Sequence, residues 1–252
     1  LIPAWWTEEI GKMRVVIPED EKKALTHYAY HIKAGKEIFA AEGAFGQYLI
    51  CFRDYPVAIG ITAGASEYLA ADICLKYIKE AVQIPCEKEN LEEAQEKLEE
   101  KLVHLTLPKP EGDKKDTNEA TKKLLNKRIA FTENPRQIES AVISTVGEEL
   151  KLELTVAGEK KILFAGYKDW KCNDMYPNDF TKRYHAVSYA FDEDALYLSV
   201  GLLNTSYREE YCLWVNSENV VVGTWRPNVT YLPAEEDMTW KFTGTFEPSC
   251  IL

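Results

Sequence analysis

The 252-residue chain has six cysteines, Cys51, Cys74, Cys86, Cys172, Cys212 and Cys250, and no CxxC pair among them. The paired spacing of structural zinc sites is therefore missing, and several of the thiols fall in apolar runs, where a free cysteine behaves as a small hydrophobe. A chain of this length needs no disulfide framework, so a reducing, cytoplasmic setting is expected. Basic residues are in the minority. Thirty Lys and Arg against 41 Asp and Glu give a formal net charge of -11. Such a surface repels phosphates, which argues against nucleic acid and anionic membranes as partners. No apolar run approaches the ~18 residues of a membrane span, and no basic segment leads into an apolar one at the start, as a signal peptide would. Histidine is scarce, at four. His27 and His31 stand four apart, the zinc spacing of a helix, but HYAYH lacks the glutamate of HExxH and alternates like a strand. His104 and His185 have no serine or cysteine beside them from which a triad could be argued. Neither a metal nor a cofactor is expected.

What is present is globular: 46% hydrophobic and 28% charged residues. Three regions separate by pattern. Residues 1–86 mix short strands with helix. PAWWTEEIGKM opens on Pro3 with acids following, which suits a short amphipathic helix. THYAYHI alternates and predicts a strand. SEYLAADICLKYIKEAV predicts a helix capped by Ser66, with Glu67 in its first turn and Leu69, Ile73, Tyr77 and Ile78 along its apolar stripe. Residues 87–126 begin with the charged helix ENLEEAQEKLEEKLVHL, whose stripe is Leu91, Leu98, Leu102 and Leu105. They continue as LPKPEGDKKDTNEAT, an exposed linker by composition. Residues 127–252 hold nine short alternating runs: RIAFT, IESAVIS, LKLELTV, KKILFAG, YHAVSYAF, ALYLSVGLL, EYCLWV, NVVVGTW and MTWKFTGTF. Their spacing predicts antiparallel meanders closed into a barrel or sandwich. Val187, Tyr189 and Phe191 alternate with Ala186, Ser188 and Ala190, so one face is bulky and the other small. A small barrel with a filled interior or a narrow pocket has that pattern.

Residues 40–64, AAEGAFGQYLICFRDYPVAIGITAG, predict a strand carrying Gly43 and Gly46, a turn at Arg53-Asp54-Tyr55-Pro56 and a second strand. Glycine within a strand marks a bulge or a close approach to the backbone. This segment resembles the third active-site element of the serine hydrolases related to class C β-lactamases and penicillin-binding proteins. LIPAWWTEEIGKM looks like the helix after the middle element of that bacterial family. THYAYH looks like its tyrosine-rich strand, and ADICLKYIKEAV like its C-terminal helix. The β-rich tail is similar to the lipocalin-like accessory domain of a subgroup. The resemblance implies an α+β fold: a partial transpeptidase-like antiparallel sheet with its C-terminal helix (1–86), a charged helix and linker (87–126), and an all-β barrel (127–252). The implied chemistry is acyl transfer on an ester, amide or peptide bond.

The chain departs from that family in its motifs. It contains no Ser-x-x-Lys, so it is expected to be the C-terminal part of a hydrolase and inactive alone. Tyr176-Pro177-Asn178 copies the second motif but lies in the tail, as turn sequence. Ala41-Glu42-Gly43 stands at the third motif without its cationic or imidazole residue. What the resemblance leaves is backbone chemistry: Gly43 lets substrate lie against the strand, the Ala44 N–H would be an oxyanion donor, and Glu42, Gly43 and Gln47 would bind substrate. The missing part, or a homodimer partner, is expected to cover a sheet face around Tyr28, Tyr30, Leu49 and Ile59. The alternative is a non-catalytic barrel module for a small molecule or glycan. Its tail is rich in aromatics, Trp170, Trp214, Trp225, Trp240, Tyr167, Tyr176, Tyr184 and Tyr207, most of them expected as core. Arg226 beside Trp225 would anchor a loop or hold a ligand acid.

Overall fold

The computed structural model describes residues 2–18, 23–65, 70–83, 91–112, 119–173, 184–192, 194–230 and 238–247. Ser66, Glu67, Leu69, Tyr176-Pro177-Asn178, Cys86 and Cys250 lie outside them. The chain forms two compact units, residues 1–106 and 107–252. Their boundary falls inside the 87–126 segment.

The first unit opens with α1 (Ala4–Ile10), entered from an extended Pro3. Its acids sit in the second half of the helix, where Glu9 pairs with Lys12 and Arg14. A six-stranded antiparallel meander follows: β1 (Val15–Val16), β2 (His27–Ala29), β3 (Ile32–Ala34), β4 (Ile38–Gly43), β5 (Gln47–Phe52) and β6 (Ala58–Ile61). Two expected strands prove to be hairpins. THYAYHI reverses at Tyr30 and His31, whose φ values of 25° and 62° no strand allows. His27 and His31 therefore share no strand face. Likewise 40–52 is two strands joined at Ala44-Phe45-Gly46, where Phe45 (φ 62°) and Gly46 (φ 86°) turn the chain. The glycines serve a reversal, as short hairpin loops require.

Ile38, Ala40, Tyr48, Ile50 and Phe52 form one buried sheet face. It is covered by α2 (Ala70–Ala81), through Ala71, Cys74, Leu75 and Ile78. Of the expected helix stripe Ile78 faces the sheet, whereas Ile73 and Tyr77 are exposed and Leu75 and the smaller Ala71 and Cys74 take their place. Small residues let the helix backbone approach the strands closely. The expected docking face also divides. Leu49 pairs with Ala41 and Gly60 on one side, whereas Ile59 pairs with Ile50 on the α2 side. Tyr30 sits in the turn. Tyr28, Tyr30 and Leu49 are exposed, but no single face unites them with Ile59. The charged helix is α3 (Leu91–Val103), with Lys97 paired to Glu93 and none of its residues buried.

In the second unit each of the nine alternating runs is a strand: β7 (Arg128–Phe131), β8 (Ile138–Val146), β9 (Glu149–Val156), β10 (Glu159–Tyr167), β12 (His185–Asp192), β13 (Ala195–Leu202), β14 (Arg208–Val215), β15 (Val221–Pro227) and β16 (Trp240–Phe246). Pairing runs β10-β9-β8-β7-β16-β15-β14-β13-β12, all antiparallel, and a parallel β10–β12 pair at Gly166–Ser188 and Tyr167–Tyr189 closes the ring. A short strand outside the nine runs, β11 (Lys171–Asn173), pairs with the start of β12. Closure leaves no sheet edge to manage between β10 and β12. The bulky alternates Val187, Tyr189 and Phe191 point into the core and the small ones outward. Those outward residues are still buried, because residues 107–112 run over them. Trp170 Nε1 donates to the Leu107 carbonyl at 3.3 Å, Lys109 pairs with Asp169 at 2.9 Å, and the Tyr167 hydroxyl donates to the Gly112 carbonyl at 3.5 Å. A Cβ at Gly112 would lie 2.3 Å from the Phe191 carbonyl, so only glycine lets this strap approach. A helix, α4 (Glu119–Leu124), packs on β13 and β14 and buries Leu124 completely in the barrel core.

Candidate functional site

The sequence-derived residues gather at the β4–β5 hairpin. Gly43 pairs with Gln47, and Ala44 is exposed at the tip. The Gln47 amide donates to the Ala63 carbonyl, and the Ala65 N–H donates to the Phe45 carbonyl at 3.0 Å. Glu42 is tied to Lys33 at 2.7 Å and is largely shielded, so its charge is neutralised by a neighbouring strand. Ala41 faces away from it, opposite Leu49. The five residues lie on one hairpin, and the two with polar side chains, Glu42 and Gln47, are engaged with the sheet's own groups. Among the described residues no cluster of three His, Cys, Asp or Glu side chains could hold a metal ion.

The barrel offers a different arrangement. Its interior is filled at one end and hollow at the other. Tyr189 packs on Tyr167 at a tilt and on Phe191 edge to face, with ring centroids 5.6 and 5.8 Å apart, and Leu124 and Leu150 pack beside them. The Tyr189 hydroxyl donates to the Glu148 carbonyl at 3.0 Å, which gives the buried phenol its partner at that end. Toward the other end lies a cavity of about 120 Å³, far above the roughly 15 Å³ that one water needs. Its wall is aliphatic: Ile143, Leu152, Leu163, Leu198, Val200 and Leu213 line it. Strand alternation delivers them, since every second residue of β8, β9, β10, β13 and β14 points inward.

Five polar side chains interrupt that wall: Arg136, Lys161, His185, Glu209 and Tyr211. Three of them form one network. Glu209 and Tyr211 are successive inward residues of β14, and the Tyr211 hydroxyl donates to Glu209 Oε2 at 2.6 Å. Arg136 comes from the β7–β8 loop, and its Nε lies 3.0 and 3.1 Å from the two Glu209 oxygens. Its guanidinium also stands 5.9 Å from the Trp225 ring centroid. The loop is shaped by Asn134. Its side chain accepts from the Ile138 N–H at 3.0 Å and donates to the carbonyls of Ile138 and Thr132 at 2.8 and 2.9 Å. A register shift between Ile138 and Ser140 then starts β8. Side-chain capping of this kind fixes a loop that the strands alone would leave free.

Burial raises the Tyr211 phenol well above its ordinary range, and the adjacent Glu209 charge adds to the effect. Tyr211 is therefore a fixed hydrogen-bond donor. Burial by itself pulls the Arg136 guanidinium down, but the Glu209 charge and the contacts with Tyr211 outweigh it, so the net shift is upward. Arg136 therefore stays charged beside Glu209, as a buried cation with satisfied hydrogen bonds does.

Of these, Arg136, Lys161, Glu209 and Tyr211 do not figure among the sequence-derived candidates, and His185 does so only as a histidine without a sequence neighbour for a triad. Glu209 and Lys161 were visible as charges at inward positions of strands that otherwise alternate apolar and polar. Arg136 was not, because a turn brings it in. The Arg226 expected to hold a loop or a ligand acid is exposed on the outer face, opposite Glu210. Trp225 and Trp240 are core, with ring centroids 4.8 Å apart, as expected of barrel aromatics. Trp170 binds the strap, and Tyr184 and Tyr207 are exposed.

No protein-family model and no curated protein sequence matches the chain. Among solved structures it is similar to apo lipid binding protein 8 of Caenorhabditis elegans, at 7% identity and a TM-score of 0.39, over 50% of this chain and 96% of that one. No helix among the described residues is long and apolar enough to cross a membrane.

Proposed function

We propose that the second unit is a non-catalytic binding module whose barrel holds a small, mainly apolar molecule. The observation that carries this is the half-hollow lumen. Aliphatic side chains surround the cavity, and the polar groups are few and convergent, which is the usual make-up of a small-molecule site. A core meant only for stability would be filled, since an empty apolar cavity costs roughly 24 cal/mol per Å³. A glycan suits these walls poorly, because its hydroxyls would find few partners. The test is a thermal-shift screen of the full chain with single-chain amphiphiles and with oligosaccharides. A concentration-dependent rise in Tm with amphiphiles is expected, and its loss in Ala141→Phe and Leu163→Phe, which fill the lumen. Equal shifts in the filled variants, or none in the native chain, would remove the proposal.

A second reading keeps the first unit as the C-terminal part of a β-lactamase-related serine hydrolase. In its favour are the antiparallel sheet with α2 laid across one face and the exposed Ala44 at the hairpin rim. The chain has no Ser-x-x-Lys, so on this reading it awaits a nucleophile from elsewhere. Fluorophosphonate and penicillin probes should leave the isolated chain unlabelled. Labelling of any of its serines would contradict that reading.

A further inference from the structure

We infer that the barrel's ligand is a short, uncharged alcohol, whose hydroxyl donates to the Glu209 carboxylate while its alkyl chain fills the apolar part of the cavity. This rests on the binding reading above and names the chemical class and size of the ligand.

The polar groups of the lining are already engaged with the protein. Arg136, Lys161, His185, Glu209 and Tyr211 face the cavity. The Arg136 Nε is turned on Glu209, 3.0 and 3.1 Å from its two oxygens, and the Tyr211 hydroxyl donates to the same carboxylate at 2.6 Å. Lys161 and His185 each have an interaction of their own within the protein. An ionised ligand would therefore have to break one of these interactions to obtain a counter-charge. It would also lose its hydration on entering an apolar volume. An anion would approach the charge of Glu209, and a cation would approach that of Arg136. An uncharged molecule meets neither repulsion.

One acceptor position remains for it. A carboxylate offers about four lone-pair sites. Both hydrogen bonds to Glu209 reach Oε2, and among the described residues Oε1 has only the 3.0 Å contact with the same Arg136 Nε. Glu209 is 6% exposed, so bulk water does not saturate that oxygen. A hydroxyl donates the one hydrogen bond that is missing and leaves the Arg136–Glu209 pair intact. Arg136 and Tyr211 fix the carboxylate in advance, so little entropy is lost in ordering it on binding.

Volume sets the length. An apolar cavity of roughly 150 Å³ takes one benzene molecule. The cavity here is about 120 Å³, which limits its occupant to about six non-hydrogen atoms. The rest of the wall is apolar, with Leu152, Leu163, Leu198 and Leu213 in it, and suits an alkyl chain.

The experiment is isothermal titration of the full chain with pentan-1-ol, 1-methoxybutane, pentanoate, pentylamine and octan-1-ol, at neutral pH and below their solubility limits. Pentan-1-ol should bind about tenfold more tightly than pentanoate or pentylamine. It should bind about fivefold more tightly than 1-methoxybutane, an ether of equal size with no donor. Octan-1-ol should gain nothing over pentan-1-ol, because its extra methylenes find no room. Arg136→Met, Glu209→Met and Tyr211→Phe together replace the network by apolar groups and should make the alcohol and the ether equal. Either ion binding as tightly as pentan-1-ol would overturn the assignment while the binding module stood. So would an ether equal to the alcohol in the native chain, a tighter octan-1-ol, or a triple variant that keeps the native preference. The native-chain comparisons decide the matter if the triple variant does not fold. Failure of all five compounds to bind would overturn the assignment as well, and a blank amphiphile screen besides would remove the module.

Discussion

The side-chain amide of Asn173 pairs with both backbone groups of Phe164: its Oδ1 accepts the Phe164 N–H at 2.6 Å and its Nδ2 donates to the Phe164 carbonyl at 3.0 Å. Asn173 ends β11, and Phe164 lies in β10 where that strand has not yet met β12. The amide therefore does the work of a neighbouring strand at the seam where the barrel closes.

Replacing Asn173 by Ala should cost about 1–3 kcal/mol, because it strips partners from backbone groups beside a buried position. Urea unfolding gives the magnitude. Amide exchange supplies the location: Phe164 should lose protection first, ahead of β13 and β14. Uniform loss across the barrel would show that Asn173 does not act at the seam.

Glu209→Gln should destabilise the chain by about 1–3 kcal/mol, since Arg136 loses its counter-charge and Tyr211 keeps only a neutral acceptor. Tyr211→Phe should cost less, because the phenol and its one bond leave together.

The same phenol sets an alkaline limit. Its folded pKa lies well above the unfolded value, so the fold favours the protonated form. That contribution is complete below the ordinary tyrosine value of about 10 and is lost as pH rises from there through the folded value. Stability of the native chain should therefore fall above about pH 10 more steeply than that of Tyr211→Phe, apart from changes common to both. Parallel curves from unfolding at stepped pH would contradict this.

Gly223 leaves room for an aromatic ring. A Cβ there would lie 2.4 Å from two atoms of the Phe242 ring and 2.9 Å from Leu213. Gly223→Ala should cost about 1–3 kcal/mol by overpacking. Adding Phe242→Leu should recover part of it, a coupling that a double-mutant cycle measures. Strictly additive effects would mean the ring is not what excludes the methyl group.

The cysteines should separate by reactivity. Burial raises the thiols of Cys74 and Cys212, whereas Cys172 is exposed. With an aromatic disulfide reagent at pH 8, Cys172 should react ahead of Cys74 and Cys212, which should wait for local opening. Mass mapping of the labelled peptides identifies the order.

Alternation alone located all nine barrel strands, because a period of two survives whatever the strand packs against. The same pattern placed Val187, Tyr189 and Phe191 on the bulky inner face. Three things escaped it. The reversals at Tyr30-His31 and Phe45-Gly46 put positive φ on Tyr30, His31 and Phe45, whose side chains carry no signal for it. The α2 stripe was assigned to Leu69, Ile73, Tyr77 and Ile78, but among the described residues the sheet takes Ala71, Cys74, Leu75 and Ile78. Position Arg136 is brought to the barrel wall by the bonds that Asn134 makes across a loop, and no periodicity describes a loop.

Local order in the second unit, then, belonged to the sequence: its nine barrel strands, like the acidic balance and the absence of Ser-x-x-Lys, can be read without coordinates. The cavity belonged to the tertiary structure. Whether inward side chains meet or leave a space depends on strand order, on the β10–β12 closure and on which residues fill the far end. Those are sums over residues distant in sequence, and so is the meeting of Arg136 with Glu209 across 73 positions.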